Sequence, residues 1–410
     1  MIYEYFGGLD FGSSGARISI INNSKEIIFE DSCNYIYEFK NPEGWINSCV
    51  KLFEGIPLQI KINLSRLSIS GTSGTLTPCL SNGSILGNSI PYNEACTSNF
   101  KKLNLIAGDD KFLNNPYSSL AKALKLIDTF GENIILRHQS DWLSGWFLNN
   151  WSYGEEGNNI KLGWNIISKS WPKNFDSISL KKSLPIIKKS GVILGKINQS
   201  IANLLGTSEN LLLISGTTDS NAAFIAAQVK ENEGLTILGT TIVLKKIIKK
   251  TFSHPGITMH RVNGDWICGG SSNAGCGVLS KFFSDSEIKE LSQQINPRNK
   301  TNLNYLPLNS LGERFPTNDP CLKPIIKPRP VSDALFLHGL FEGLARIELK
   351  GWQKLKNLSG YFPKRIITIG GGSKNPQWKS IREKTLKVPI INSNKSTSFG
   401  SALIALYSDF

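Results

Sequence analysis

The same short design occurs twice in this sequence, once near each end of its first 250 residues. An apolar run breaks at a glycine turn and then resumes, first at residues 5–22 (YFGGLDFGSSGARISIIN) and again at residues 234–248 (GLTILGTTIVLKKII). Apolar runs interrupted by small residues predict β-hairpins. The repeat therefore predicts a chain made of two related halves, each of which opens with a hairpin.

The length of the chain agrees with two halves. At 410 residues it exceeds what one ordinary hydrophobic core supports, and it suits two domains of about 200 residues each. We expect one domain at residues 1–225, completed by a closing helix within residues 396–410, and a second domain at residues 226–395. The helix is predicted over residues 397–406, TSFGSALIAL, with Ser396 or Thr397 as its cap.

Composition excludes several functional classes. The seven cysteines include no CxxC pair and the four histidines lack metal-ligand spacing, which indicates reduced thiols in the cytoplasm and no transition metal. No apolar stretch approaches the roughly 18 residues of a membrane span, and no secretory leader is recognisable at the N-terminus. The net charge of +14 comes with no nucleic-acid-binding motif, so we predict neither a membrane nor a nucleic-acid partner.

Three further segments contain an apolar strand that ends in a glycine-rich turn. They lie at residues 67–76, 211–224 and 365–378, and helical periodicity follows the last two. A strand, a glycine turn and the start of a helix, in this order, are typical of α/β proteins that place backbone amides beside phosphate groups. The sequence therefore predicts an α/β protein with phosphate-binding turns.

Asp10 ends the first strand, immediately before the turn Gly12-Ser13-Ser14-Gly15. The glycines allow the backbone to turn with its amides exposed, and the serines add hydroxyl donors for phosphate. A carboxylate at this position is suited to hydrated Mg²⁺, which bridges to phosphate oxygens. The alternative is an ordinary hairpin with a solvated aspartate, and the second hairpin, with its turn Gly239-Thr240-Thr241, favours the phosphate site.

Asp219 lies where an apolar strand gives way to a helix. Phosphoryl transfer requires a positioned carboxylate that accepts the proton of the attacking hydroxyl, and Asp219 is the candidate base. The alternative role is that of a helix N-cap, for which aspartate is also favoured. Its sequence context alone leaves both roles open.

Two other groups of residues are candidates for ligand contact. Three glycines, Gly370, Gly371 and Gly372, follow a strand. Because glycine costs backbone entropy on folding, three in a row indicate a backbone that passes close to a nucleotide. Ser373 and Asn375 would lie near the same nucleotide. The segment beginning at Gln139 places Asp141 beside Trp142, a pairing that suits a sugar but equally suits a buried tryptophan beside a capping aspartate. The run GVILGK at residues 191–196 differs from a P-loop in spacing and lacks the Ser or Thr for Mg²⁺.

Together these segments resemble the FGGY family of carbohydrate kinases along nearly the whole chain. The resemblance is carried, in chain order, by DFGSSGAR, by LLLISGTTDSNAAF with the stretch before it, by LGTTIVL, by GGSSNAGCG, by LPLNSLGERFPTNDP and by GGGSKNPQWKSIREKTLKVPI. It implies two RNase H-like, actin-like ATPase domains with an interdomain cleft for ATP and a sugar. It also implies Mg²⁺ as cofactor, and a monomer or homodimer.

Matched residue by residue, the resemblance assigns roles to individual positions. Asp219 takes the place of the catalytic base and also approaches the substrate. Asp10 matches the carboxylate that lies near the substrate and the metal, and it would hold the metal through water. Ser73 and Asp141 match positions that approach the sugar. The implied ATP-binding residues are Gly12, Ser13, Ser14, Gly239, Thr240, Thr241, Gly371, Gly372 and Asn375.

One loop departs from the pattern of xylulose kinases. They typically have SGQMHG where this sequence has SGTSGT at residues 70–75, without the Gln, Met and His. This form resembles short family members regarded as D-ribulose kinases, so we expect phosphorylation of D-ribulose at its terminal hydroxyl. D-xylulose or another polyol is the alternative acceptor. An actin- or chaperone-like ATPase switch and a catalytically silent sugar-binding protein are alternatives of other classes.

Overall fold

A computed structural model describes residues 4–110, 112–178 and 180–408 of the chain. Within these ranges no helix combines the length and the apolar character needed to cross a membrane. The backbone alternates between strands and helices, as the sequence predicts for an α/β protein.

The strands are, in chain order, β1 (Tyr5–Phe11), β2 (Gly15–Ile21), β3 (Ile27–Asn34), β4 (Leu64–Gly71), β5 (Leu76–Cys79), β6 (Ile135–His138), β7 (Tyr153–Glu155), β8 (Ile186–Lys188), β9 (Ile193–Lys196), β10 (Leu212–Thr218), β11 (Glu233–Leu238), β12 (Ile242–Ile248), β13 (Ile257–Val262), β14 (Asp265–Ser271), β15 (Arg365–Ile369) and β16 (Ile390–Asn392). The α-helices are α1 (Pro42–Glu54), α2 (Leu58–Ile62), α3 (Phe100–Ala107), α4 (Ser119–Phe130), α5 (Gln139–Leu148), α6 (Glu156–Asn159), α7 (Gln199–Leu205), α8 (Asp219–Ala226), α9 (Cys276–Leu279), α10 (Asp285–Gln293), α11 (Asp333–Ser359), α12 (Pro376–Leu386) and α13 (Thr397–Leu406).

The chain divides into two compact units. The first comprises Met1–Ala226, Arg261–Gly264 and Lys395–Phe410, and the second comprises Ala227–His260 and Asp265–Asn394. Helix α13 thus belongs to the first unit although it follows the second in the sequence.

A mixed six-stranded sheet, in the order β3-β2-β1-β4-β10-β9, forms the centre of the first unit. Strands β1 and β2 are the antiparallel hairpin predicted from the sequence, with Leu9 paired to Ile18. Strands β4 and β10 extend the sheet in parallel with β1. Because parallel strands end at the same edge of a sheet, the carboxyl ends of β1, β4 and β10 lie side by side.

Helix α13 packs on this sheet at very close range. A methyl group at Gly8 of β1 would lie 2.1 Å from the backbone of Ser398 and Ala402, and one at Gly400 would lie 1.9 Å from the Ala222 carbonyl of α8. The predicted N-cap is also present, since the Ser396 hydroxyl accepts a hydrogen bond from the Phe399 amide at 3.2 Å. Gly8 therefore permits backbone contact between β1 and α13, and Gly400 permits backbone contact between α13 and α8.

The second unit repeats the same plan. Its six-stranded sheet has the order β13-β14-β12-β11-β15-β16, in which β11 and β12 form the second predicted hairpin and β15 and β16 follow in parallel. The 27-residue helix α11 contributes much of the core through residues such as Phe341 and Trp352, both fully buried. Residues 303–330 run between the elements without regular structure, as their prolines predict.

A buried ion pair ties the helices of the second unit to its sheet. Glu348 of α11 accepts two hydrogen bonds from the guanidinium of Arg382 in α12, at 2.6 and 2.8 Å. Thr236 of β11 and Thr368 of β15 complete the network through their hydroxyls, at 2.6 and 3.0 Å respectively. Both charged side chains are 1% exposed, so each depends on the other for compensation of its charge.

We predict that E348A destabilises the second unit by about 3–5 kcal/mol, because it leaves the guanidinium of Arg382 buried without a counter-charge. The free energy of unfolding, measured by urea denaturation, tests this. A matched control is Q353A, which changes an exposed residue of the same helix and should alter stability by less than about 0.5 kcal/mol. Similar effects of the two substitutions would contradict the prediction.

Candidate active site

Three segments of the first unit converge where β1, β4 and β10 end. In the sheet, Asp10 is paired with Ser70, and Thr218 is paired with Gly71. The register therefore places Asp10, the loop after Gly71 and the residue after Thr218, which is Asp219, along one edge. Ligands of open α/β sheets bind at this carboxyl edge.

The carboxylate of Asp10 is almost completely buried, at 2% exposure. It accepts a hydrogen bond from the Ser70 hydroxyl at 2.9 Å, and Ser70 in turn accepts one from Ser401 of α13 at 3.0 Å. The guanidinium of Arg17, on the neighbouring strand β2, lies 3.6 Å from the other carboxylate oxygen. Asp10 is thus held in one position by neighbours on three elements.

Burial, and to a lesser extent the negative charge of Asp219, raise the pKa of Asp10 to about 7, against the opposing effects of Ser70 and Arg17. Two carboxylates that repel each other in a desolvated place favour a cation nearby. In the described residues no group of three or more His, Cys, Asp or Glu side chains is placed to hold a metal ion. The pair therefore fits Mg²⁺ that keeps most of its ligands as water and phosphate oxygens.

Asp219 is the first residue of α8 and is half-buried. Its carboxylate accepts a hydrogen bond from the Ser220 amide at 2.7 Å. The hydroxyl of Thr218 accepts from the Asn221 amide at 3.4 Å, in the geometry of an N-cap. The capping role that the sequence left open for Asp219 is therefore filled by the residue before it.

A bulge in β10 sets the position of Asp219. The pairing of β10 with β4 is interrupted between Ile214 and Thr217. A methyl group at Gly216, inside the bulge, would lie 1.8 Å from the carbonyl oxygen of Ile69. Only glycine fits there, and strand bulges commonly redirect side chains at functional sites.

The first glycine turn is closed by a hydrogen bond from the Gly12 amide to the Gly15 carbonyl, at 3.0 Å. Ser13 and Ser14 are exposed at its tip. The hydroxyl of Tyr35 donates to the Gly12 carbonyl at 2.8 Å. Burial raises the pKa of Tyr35, and the charge of Asp10 adds to the shift, so this hydroxyl keeps its proton and anchors the turn beside Asp10.

The loop after β4 is fixed from the side of α5. The Gln139 side-chain carbonyl, fully buried, accepts hydrogen bonds from the amide and the hydroxyl of Thr72, at 2.9 and 2.8 Å. Lys161 donates to the carbonyl of Ser73 at 2.7 Å, and Lys122 donates to that of Gly74 at 3.0 Å. Ser73, a predicted sugar contact, is half-buried.

Asp141 lies below the surface, at 5% exposure. Its carboxylate accepts hydrogen bonds from the Glu155 amide at 2.9 Å and from the Asn159 side-chain amide at 3.0 Å. It also lines a small pocket, together with Glu155 and Lys188. Asp141 therefore supports the local structure and faces a small polar cavity, whereas Trp142 beside it is buried in the core.

In the second unit, the second glycine turn packs against the segment that leads into α9. The carbonyl of Gly239 accepts a hydrogen bond from the Cys276 amide at 2.9 Å, and that of Thr240 accepts from Gly277 at 3.1 Å. The side chain of Thr240 is exposed and that of Thr241 is half-buried. The backbone of the turn is thus held on its inner side, while the Thr240 side chain is exposed.

The three consecutive residues 370–372 do not require glycine for the same physical reason. Gly370 has a positive φ of 93°, and a methyl group there would lie 2.5 Å from the carbonyl oxygen of Leu238; one at Gly372 would lie 2.6 Å from the Trp378 ring. Internal packing therefore requires these two glycines. Among the residues that the structure describes, a methyl group at Gly371 would meet no atom within 4 Å, so this residue borders open space.

Asn375 caps helix α12 and is engaged at both ends of its amide. The side-chain carbonyl accepts a hydrogen bond from the Trp378 amide at 2.9 Å, and the side-chain NH₂ donates to the Ser292 hydroxyl at 2.7 Å. Of the predicted nucleotide contacts in this loop, Gly371 is the one with unfilled space beside it, while Asn375 supports the loop.

The structure brings Asp10, Asp219 and the first glycine turn together in the first unit. Four residues that were not predicted as site residues complete this cluster: Arg17, Tyr35, Ser70 and Ser401. The amide of Gln139, which begins the segment predicted to suit a sugar, also belongs to it. Arg17 follows the first turn directly and was within reach of the motif, whereas Tyr35 and Ser401 are distant in sequence and no local pattern marks them.

Comparison with known proteins supports the resemblance seen in the sequence. No protein-family model matches the chain. A xylulose kinase of Staphylococcus epidermidis (strain ATCC 12228 / FDA PCI 1200) is 24% identical over 252 residues, which is 58% of this chain and 51% of that one. The chain thus spans about half the length of that relative in the alignment.

Solved structures match over nearly the whole chain. A xylulose kinase ("xyloylose kinase") of Brucella ovis aligns with a TM-score of 0.86 at 18% identity, covering 99% of this chain and 90% of that one. Plasmodium falciparum glycerol kinase with ADP aligns with a TM-score of 0.83 at 18% identity, covering 98% and 89%. The chain has the α/β fold of two actin-like ATPase domains found in these kinases, and the predicted fold class is confirmed.

We predict that D10N changes the pH dependence of stability. Asp titrates near 3.9 in an unfolded chain, whereas the pKa of Asp10 in the folded protein is about 7. The native state retains this proton between the two values, so the stability of the wild type falls as the pH rises through that window. Asn does not titrate, and D10N should gain about 3 kcal/mol relative to the wild type between about pH 5 and about pH 8.

Urea denaturation in the presence of EDTA at both pH values measures this difference. The control D31N removes an exposed carboxylate from β3 of the same sheet and should show no such gain. A D10N variant whose stability tracks that of the wild type at both pH values would refute the raised pKa.

Proposed function

We propose that this chain, which has the fold of the FGGY carbohydrate kinases and resembles them in sequence, transfers the γ-phosphoryl group of ATP to the terminal hydroxyl of a ketopentose. The observation that carries the proposal is the placement of Asp10 and Asp219 along one edge of the first sheet, close enough that the charge of Asp219 raises the pKa of Asp10. The half-buried carboxylate of Asp219 suits an alcohol acceptor, and the buried carboxylate of Asp10 beside it suits a metal–phosphate complex.

In this mechanism, Asp219 accepts the proton of the attacking hydroxyl. Its position at the start of α8 supports this role, because the N-terminal end of a helix favours a negative charge. The N-cap is already supplied by Thr218, so the Asp219 carboxylate is not required for capping. General-base assistance of this kind contributes typically about 10²–10⁴-fold to the rate.

Asp10 and its neighbours would hold Mg²⁺ through water. The metal would supply charge neutralisation on the phosphates. The buried Ser70 hydroxyl holds one carboxylate oxygen of Asp10 in place. The turn between Gly12 and Gly15, anchored by Tyr35, presents the hydroxyls of Ser13 and Ser14 to phosphate oxygens.

The second unit would bind the nucleotide. The turn from Gly239 to Thr241 supplies hydroxyls and an exposed backbone for phosphate, and the space beside Gly371 admits the adenosine moiety. Gly372 and Asn375 shape the wall of that space through the packing and capping described above. The glycerol kinase with the same fold is described with ADP, which supports ATP as the phosphoryl donor.

D-ribulose is the acceptor we favour. The loop at residues 71–75 carries small side chains in place of the Gln, Met and His typical of xylulose kinases, and Ser73 in it is half-buried. D-xylulose is the alternative, favoured by the Staphylococcus relative. A single assay of ATP consumption over D-ribulose, D-xylulose, L-ribulose, L-xylulose and glycerol separates them, and ATP hydrolysis that no sugar changes would instead indicate an ATPase switch.

We predict that D219N lowers turnover by at least about 10²-fold, because Asn cannot accept the hydroxyl proton. Binding of ATP, measured by calorimetry, should remain within about twofold of the wild type, since Asp219 lies in the first unit and is assigned to the acceptor. The measurement is formation of the sugar phosphate under saturating ATP.

The control D128N changes an exposed aspartate on α4 and should retain full turnover. Near-normal turnover of D219N would remove Asp219 from the role of base. Absence of any phosphorylated sugar with the wild-type protein across the acceptors would exclude the kinase proposal, and a thermal shift with sugar alone would then favour a silent binding protein.

A further inference from the structure

Arg314 is a positively charged side chain of the second unit that has no role in the proposed phosphoryl transfer. It is exposed, and its guanidinium donates a hydrogen bond to the Ser271 hydroxyl at 3.3 Å. Among the described residues, no carboxylate oxygen lies within 4.0 Å of its nitrogens. An arginine that is oriented but not paired with an acid is suited to bind an anionic ligand.

The backbone that carries Arg314 is rigid. Its neighbour Glu313, 4% exposed, accepts hydrogen bonds from the Ser272 hydroxyl at 2.6 Å and the Asn273 amide at 2.8 Å. The same carboxylate accepts from the amide of Arg314 itself at 2.9 Å. Glu313 is therefore committed to the backbone, and it fixes the base of the Arg314 side chain against the end of β14.

This location lies beside the second glycine turn. Ser271 is paired with Val243 across β14 and β12, and Thr241 of the turn precedes Val243 by two residues. Paired residues and their next-but-one neighbours project from the same face of a sheet, about 7–8 Å apart along the diagonal. Thr241, Val243 and Ser271 are half-buried, whereas Ile242, between Thr241 and Val243, and Ser272, which follows Ser271, are buried. Ser271 and Thr241 therefore share the more open face.

The turn itself supplies only neutral donors. Its threonine hydroxyls and backbone amides orient phosphate oxygens, but a nucleoside triphosphate brings several negative charges that hydroxyls do not offset. Lys281, on the α9 side of the turn, donates to the Asn309 carbonyl. The planar fork of Arg314, on the strand side, is matched to two phosphate oxygens.

We propose that Arg314, oriented by Ser271 and anchored through Glu313, binds the β- or γ-phosphate of the nucleotide in the second unit. This inference rests on the proposed nucleotide site, and it adds a charged residue to a turn otherwise made of glycine and threonine. It assigns to Arg314 a contact with the polyphosphate and none with the adenosine moiety.

The test compares ATP with AMP, which lacks the two outer phosphates. Dissociation constants of both nucleotides are measured by isothermal titration calorimetry for the full-length wild type, R314A, R314K and R298A, with EDTA present so that a metal ion does not mask the charge. We expect R314A to weaken ATP binding by at least about tenfold, the loss typical of a hydrogen bond to a charged group, and AMP binding by less than about twofold.

R314K should fall between the wild type and R314A for ATP, because lysine keeps the charge and loses the two-pronged geometry. R298A removes an exposed arginine elsewhere in the second unit and should leave both constants unchanged. A melting temperature of R314A within about 2 °C of the wild type shows that the fold is intact.

Equal loss of ATP and AMP affinity in R314A, or no loss of either, would overturn the assignment while leaving the kinase proposal standing if the wild type phosphorylates a sugar. Selective loss of ATP affinity without sugar phosphorylation by the wild type would support Arg314 and reject the kinase. A wild-type protein that binds neither nucleotide would reject both.

Discussion

The buried carboxylate of Asp10 is the constraint around which the first unit is organised. A charge at 2% exposure is costly unless its surroundings are fixed in advance. Here the fixing groups come from three elements: Ser70 from β4, Arg17 from β2 and, through Ser70, Ser401 from α13. The proximity of Asp219 adds a repulsion that this framework maintains. A site that holds two acids together in this way is prepared for a cationic or proton-donating partner.

Much of this arrangement could be predicted from local sequence. The hairpins are marked by apolar runs broken at Gly12 and Gly239, and the start of α8 by the change from strand to helical periodicity before Asp219. Both signals depend on neighbours within a few residues. Ser401 and Ser70 are separated by 331 residues, and nothing in either segment indicates that they meet. Tyr35 escaped prediction for the same reason.

The glycine-rich loop after β15 shows a subtler limit. A cost in backbone entropy predicts that each glycine has a reason, but the reason depends on what lies across from it. For Gly370 and Gly372 it is the backbone of Leu238 and the ring of Trp378. For Gly371 no atom in the described part of the chain supplies such a reason. Sequence identified the right loop, and only the packing distinguished the residue that borders open space from those that support it.

The close contact of α13 with β1 and α8 has a consequence for how the protein is made. Chains emerge from the ribosome with the N-terminal half first, and domains generally fold as units. The first unit lacks one of its layers until the whole second unit has been synthesised, because Gly400 and Ser401 come after it. Until then the face of β1 that Gly8 presents stays uncovered, together with Ser19 of β2 and Ser68 of β4, which are paired with Gly8 on that face. The first unit therefore completes its packing only after the second unit has been translated.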